Sequence, residues 1–179
     1  TNNFSALAKF AIKEEVALTI VGPEQPLVDG LVDFFQARDL AIFGPTKKAA
    51  QLEASKAFTK TFLERHGIPT GNYQIFSETA PALSYVREHG TPIVVKADGL
   101  AAGKGVIVAK TIAEAEEAIQ GMLSKKLFGN AGNRIVIEQF LEGEEVSFIV
   151  MVDGKNILPM ATSQDHKRVG TGDIGPNTG

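Results

Sequence analysis

The chain has 179 residues, 44% of them hydrophobic and 22% charged, an ordinary globular balance for one domain or two small ones. Eighteen Lys and Arg against 21 Asp and Glu give a net charge of −3, which argues against a general grip on nucleic acid or an anionic membrane but leaves room for a local basic pocket. The absence of Cys excludes disulfide frameworks and Cys-ligated metal sites, the three His are far apart without metal-ligand spacing, and no apolar run nears the roughly 18–20 residues that span a bilayer.

The chain opens Thr1-Asn2-Asn3 and stops in a turn-rich Gly175-Pro176-Asn177-Thr178-Gly179, and is expected to be a piece of a longer protein. Residues 4–15 read as a helix with Phe4, Leu7, Ala8, Ala11 and Ile12 on one stripe, followed by a short buried strand over 17–21. Gly22 to Pro26 reads as a loop because two Pro and a Gly crowd into it. A helix over 27–37 and a strand over 40–43 complete a pattern of parallel βαβ type. Thr46 is a candidate cap for a short helix through Leu52, and Ser55 for a second with Phe58, Phe62 and Leu63 facing inward, stopped at His66-Gly67-Ile68-Pro69.

A small α+β module is expected next: strand 73–76, helix 80–88, strand 92–96 and strand 105–109. Thr111 and Glu114 match a capping box for a helix whose stripe is Ile112, Ala115, Ile119 and Met122. A strand over 134–140 follows, then a long strand over 146–152 and a two-residue hairpin turn, Asp153-Gly154, into Ile157-Leu158.

The richest stretch chemically is Val95-Lys96-Ala97-Asp98-Gly99-Leu100-Ala101-Ala102-Gly103-Lys104-Gly105-Val106. A strand enters, three Gly and a Lys form a loop, and a strand leaves. The Gly spacing and the exit into a strand fit neither a Walker A loop nor a dinucleotide fingerprint. The pattern suits a hairpin flap whose uncovered amides form an anion-binding concavity; the bland alternative is a plain Gly-rich hairpin with a solvated Lys104. Lys96 ends an apolar run, so its charge calls for a partner, either Asp98 or a bound phosphate; the alternative is a Lys snorkelling from the strand end. Lys56 falls in the first turn of the helix capped by Ser55, where the macrodipole disfavours a cation unless an anion lies there; the alternative is a solvated surface Lys. Glu138-Gln139-Phe140-Leu141 and Glu142 to Glu145 form a crossover that could offer main-chain groups to a flat heterocycle and carboxylates to ribose hydroxyls, or be a solvated acidic turn.

Taken together, Gly22-Pro23-Glu24, Ser55-Lys56-Ala57-Phe58, the 95–106 loop, Leu141-Glu142-Gly143-Glu144-Glu145, Ala161 to Arg168 and Gly175 to Gly179 resemble the glycinamide ribonucleotide synthetase (phosphoribosylamine–glycine ligase) family of the ATP-grasp superfamily. The resemblance covers nearly the whole chain. It implies an α/β fold with an α+β lid: part of an N-terminal parallel α/β domain over 1–45, a linker and the start of the central ATP-grasp domain over 46–69, the lid over 70–137, and the hinge with part of the central domain over 138–179.

It also implies roles. Lys96 and Lys104 would be catalytic, and ATP would be held by Lys56, Lys96, Gly99, Gly103, Lys104, Gly105, Glu138, Gln139, Phe140, Leu141 and Glu145. The side facing glycine and 5-phosphoribosylamine would carry Gly22, Pro23, Glu24, Asp165, Lys167, Arg168, Asn177, Thr178 and Gly179. Mg2+ or Mn2+ would accompany ATP, with ligands beyond residue 179 and none in this chain. A cytoplasmic enzyme of purine biosynthesis, with small-molecule substrates and neither nucleic-acid nor membrane partners, is expected. Gln139 stands where the family usually has Glu. The alternatives are another ATP-grasp ligase of a carboxylate and an amine or, for this stretch alone, an inactive nucleotide-binding module.

Overall fold

A computed structural model describes residues 3–101, 103–166, 168–172 and 174–177, without the side chains at 168, 176 and 177. It divides into two compact units, residues 1–140 and 141–179, each described by itself. The first unit begins with α1 (Phe4–Lys13), capped by the Asn3 side chain, and β1 (Thr19–Ile20). Residues 22–26, expected as loop, instead enter helix α2 (Glu24–Asp29) with Pro23 as N-cap. Pro26 is tolerated because the first-turn N–H groups have no helical acceptor to lose. The helix expected over 27–37 is broken at Gly30, whose φ of 97° ends α2 and starts α3 (Leu31–Gln36). Strand β2 (Ile42–Phe43) pairs parallel with β1, and Ala8, Ala11, Leu31 and Phe35 form the small core beneath.

Thr46 bonds the Ala49 N–H, but the helix it was expected to start forms later, as α4 (Gln51–Ala54). Ser55 caps α5 (Lys56–Arg65), accepting from the Phe58 N–H, and Gly67 turns the chain out with φ 64°. Phe58 is not inward-facing as expected: it is 43% exposed, and Ala57 is the buried position of α5. That rotation gives the inner face of the helix to Lys56 and Lys60, one turn apart.

The lid-like module follows with β3 (Tyr73–Phe76), α6 (Thr79–His89), β4 (Ile93–Ala97), β5 (Val106–Ala109), α7 (Ile112–Ile119) running into a π-helical turn over Gln120–Ser124, and β6 (Ile135–Gln139). The capping box of Thr111 and Glu114 forms as read from the sequence. The sheet is antiparallel in the order β3-β6-β4-β5. Its two faces separate by the period of two. Ile93, Val95, Ala97, Ile135 and Ile137 join Val86, Ala115, Ile119 and Met122 in one core under α6 and α7. Lys96, Val106, Val136 and Glu138 lie on the opposite face, which is the face the site uses.

In the second unit, β7 (Val150–Val152) and β8 (Ile157–Pro159) form a hairpin, and β9 (Arg168–Gly170) pairs antiparallel with β10 (Ile174–Asn177). The long strand expected over 146–152 is cut to its last three residues; before it, Ser147 makes an isolated bridge to Ser163. The turn is a four-residue loop rather than Asp153-Gly154 alone, since Val152 pairs with Ile157. The Asp153 carboxylate closes it by accepting from the Lys155 and Asn156 N–H groups and the Asn156 amide, which brings its pKa down to about 2. Among the described residues no helix is long and apolar enough to cross a membrane.

Ile137 is fully buried in the core beneath the four-stranded sheet. Ile137→Ala is expected to lower unfolding stability by about 2–5 kcal/mol in urea titrations followed by circular dichroism.

Candidate functional site

One carboxylate fixes the framework. Asp98 leaves the end of β4 and points back at the start of α5, where its Oδ1 accepts from the Ser55 hydroxyl at 2.8 Å and the Ala57 N–H at 2.8 Å. Its Oδ2 receives Arg134 in a fork, Nε at 2.9 Å and Nη2 at 2.6 Å. The anion at this helix N-terminus is therefore Asp98, where the sequence suggested a ligand phosphate as one way to satisfy Lys56. Nor is Asp98 the partner of Lys96. Burial pushes the Asp98 carboxyl up, but the bonds from Ala57, Ser55 and Arg134 outweigh it and hold it below the usual range.

The same junction aims Lys56. Its N–H donates to the Asp98 carbonyl at 3.0 Å and its ammonium to the Gly99 carbonyl at 3.2 Å. Burial lowers the Lys56 pKa, Asp98 and Glu53 oppose that, and the nearby Lys96 adds to it.

Lys96 and Glu138 meet for a reason the register makes plain. Lys96 pairs with Val136, so Glu138, two residues on, is its diagonal neighbour on the same sheet face. The Lys96 ammonium bonds Glu138 Oε1, and Lys60 of α5 lies 2.6 Å from Oε2. Burial pushes the Glu138 carboxyl up, yet the bonds from Lys60 and Lys96 hold it below its ordinary value. A cavity of about 290 Å³ is lined by Lys56, Lys60, Lys96, Thr70, Val106 and Glu138. A second, of about 600 Å³, adjoins it through Glu53, Lys56 and Val106 and reaches Gly103, Gly105 and Glu24.

The loop glycines divide their tasks. Only Gly103 has a left-handed φ, 74°, with open space where a Cβ would stand. Gly99 and Gly105 are required by close approach: a Cβ at Gly99 would come within 2.9 Å of the Ala131 backbone, and one at Gly105 within 2.7 Å of Ala101 Cβ. Conformational freedom is thus needed at one of the three glycines and close packing at the other two.

Of the residues singled out from sequence, Lys56, Lys96, Glu138, Gly103, Gly105 and Glu24 line these two cavities, and Gly99 anchors the loop root. Lys104 is exposed and lines neither, while Lys56 and Lys96 line the smaller cavity together. Gly22 and Pro23 are exposed beside Glu24. Gln139 exchanges main-chain and side-chain bonds with Asn72, and Phe140 is half-buried. Leu141, Glu145 and Asp165 belong to the second unit, where Glu145 lines a concavity of about 490 Å³ with Thr162, Ser163 and Gln164. Lys167, Thr178 and Gly179 lie outside the described residues, as do the side chains of Arg168 and Asn177.

Sequence reasoning missed Lys60 and Arg134. Lys60 was visible as the i+4 partner of Lys56; nothing local marked Arg134, whose partner is 36 positions away.

Residues 54–179 match the family described as phosphoribosylglycinamide synthetase, ATP-grasp (A) domain, and residues 1–53 its N domain. The chain belongs to the phosphoribosylglycinamide synthetase family. It is 70% identical over 173 residues to phosphoribosylamine–glycine ligase of Pseudomonas syringae pv. tomato and 70% over 174 residues to that of Salmonella typhi. These alignments cover 97% of this chain but 40% and 41% of the relatives, so the chain spans about two fifths of their length. The crystal structure of phosphoribosylamine–glycine ligase from Thermotoga maritima superposes with a TM-score of 0.79 at 29% identity, covering 96% of this chain and 42% of that one. A biotin carboxylase domain from Hydrogenobacter thermophilus, solved with MgADP, shares the fold at a TM-score of 0.72 and 18% identity, over 90% of this chain and 37% of that one. The fold class expected from sequence, ATP-grasp preceded by part of an N-terminal α/β domain, is the one found.

Gly99→Ala is expected to cost about 1–3 kcal/mol by displacing the 129–132 turn, read in urea titrations. Asp98 and Glu138 have folded pKa values below their unfolded ones. Their stabilisation is complete above the unfolded values near 3.8 and 4.5 and is lost as pH falls through the folded values. The urea midpoint should therefore drop below about pH 4.5, and Asp98→Asn should make that drop smaller.

Proposed function

We propose that this chain is the nucleotide-binding portion of an ATP-dependent ligase that joins glycine to 5-phosphoribosylamine, giving glycinamide ribonucleotide, ADP and phosphate in purine biosynthesis. Family membership supports the reaction. The observation that carries the site is the cleft into which Lys56 and Lys96 converge, beside loop backbone at Gly103 and Gly105.

In this reading ATP phosphorylates the glycine carboxylate to glycyl phosphate, and the amine of phosphoribosylamine displaces the phosphate. No covalent protein nucleophile is needed; positioning and charge neutralisation carry the rate. Lys56 and Lys96 take the phosphates, with loop backbone at Gly103 and Gly105 beside Lys56 and Lys104 as the loop's own ammonium. Glu138, Gln139, Phe140 and Leu141 border the adenine, and Glu145 the ribose. Gly22, Pro23, Glu24, Asp165, Lys167, Arg168, Asn177, Thr178 and Gly179 serve the glycine and ribosylamine side. Mg2+ or Mn2+ would accompany the ATP phosphates and add to the neutralisation of their charge. A cytoplasmic location accords with soluble substrates of this kind.

The test is phosphate release by the full-length protein carrying this segment. Release is expected only with ATP, glycine and phosphoribosylamine together; release with a different carboxylate–amine pair would point to another ligase of the superfamily. Lys96→Ala should remove charge-assisted phosphate bonds of about 1.5–3 kcal/mol, weakening ATP binding roughly 10- to 100-fold by calorimetry. Unchanged affinity would remove Lys96 from the phosphate site.

A further inference from the structure

We propose that Lys60 is a positioning residue of the nucleotide cleft: by holding the Glu138 carboxylate, it frees Lys96 to exchange that carboxylate for a polyphosphate. The inference rests on the nucleotide reading above and adds to it a residue and a mechanism of regulation by charge exchange.

The cleft presents a conflict that Lys60 resolves. Lys96 is the ammonium best placed on the sheet face to meet an anion, yet it is already bonded to Glu138. The Glu138 side chain is only 12% exposed, so it cannot simply be left to water when Lys96 turns away. A lone buried carboxylate beside an arriving polyanion would repel it and keep Lys96 for itself.

Lys60 supplies the second counter-charge on the other oxygen, 2.6 Å from Oε2 and itself 12% exposed. Lys60 also has protein anchors besides Glu138. Its ammonium donates to Thr70 Oγ1 at 2.7 Å and to the Gly71 carbonyl at 3.5 Å, and lies 5.6 Å from the centre of the Tyr73 ring. Tyr73 sits opposite Glu138 across β3 and β6, with its hydroxyl turned to Glu64. The charged groups lining the cavity are then Lys56, Lys60, Lys96, Glu53 and Glu138. With Lys60 kept on Glu138, Lys96 and Lys56 are the cations left to an incoming anion.

The experiment is a double-mutant cycle on the full-length protein, reading the ATP KM and kcat of phosphate release. Lys60→Met is expected to raise the ATP KM roughly tenfold while kcat changes less than about threefold. Lys60→Arg, which keeps the charge, should stay within about twofold of wild type. In a Glu138→Gln background, where position 138 carries no charge to hold Lys96, Lys60→Met should shift the KM by less than about twofold. If Lys60 serves only to pin Thr70 and Gly71, its loss costs the same in both backgrounds, and that result overturns the proposal. So does an ATP KM for Lys60→Met within about twofold of wild type. Should Lys60→Met fail to fold by circular dichroism, Lys60→Gln takes its place in the cycle. Failure of the underlying nucleotide reading is distinguishable, because the wild-type protein would then show no ATP-dependent phosphate release.

Discussion

The site depends on the Asp98 carboxylate. Three segments that are remote in sequence come together on its two oxygens: the start of α5, the exit of β4 into the glycine loop, and Arg134 at the entry to β6. Each bond is charge-assisted, and the group is largely buried, so the arrangement is directional as well as strong. Because the backbone N–H of Lys56 also bonds the Asp98 carbonyl, the helix that carries one cleft lysine is locked to the loop root two residues beyond the other. The relative placement of Lys56 and Lys96 follows from this junction more than from either element alone.

The four-stranded sheet meets two demands with one alternation. Its inner face is apolar at the centre, where α6 and α7 cover it, while its outer face carries Lys96 and Glu138. A shift of one residue in the β4–β6 register would exchange these faces, burying the charged pair in the core and exposing Val95 and Ile137. The hydrophobic effect that holds the sheet therefore also fixes which charged groups line the cleft. The loop joining β4 to β5 obeys a similar economy of space: Gly99 and Gly105 are where backbone and side chains of neighbouring turns approach too closely for a Cβ.

Much of this was legible in the chain of residues, and what was not has physical causes. Strong local signals survived: the Ser55 cap, the Thr111–Glu114 capping box, the Gly67 stop and the β3 limits all appear where the residues indicate. Signals that depend on where a side chain faces did less well. Phe58 reads as core by hydrophobicity, but α5 turns Ala57, Lys56 and Lys60 toward the protein and leaves Phe58 43% exposed. Prolines at 23 and 26 suggested a loop, although a helix's first turn has no N–H bond for proline to break. The partners of Lys96 and Asp98 were beyond local reading, since both are set by the placement of β6, some 40 residues downstream.

That placement has a consequence for how the chain is made. Strand β3 is synthesised before α6, β4, β5 and α7, yet its pairing partner in the sheet is β6, the last strand of its unit. While β4 and β5 can close a hairpin as soon as they emerge, β3 must remain without its ladder until the ribosome has delivered residues 135–139. Parts rich in such distant pairings form late, because loop closure precedes the reward of contact. During that interval the edge of β3 and the apolar faces of β4 and β5 are open to misassociation, which makes the arrival of β6 the step at which the nascent sheet is protected from aggregation.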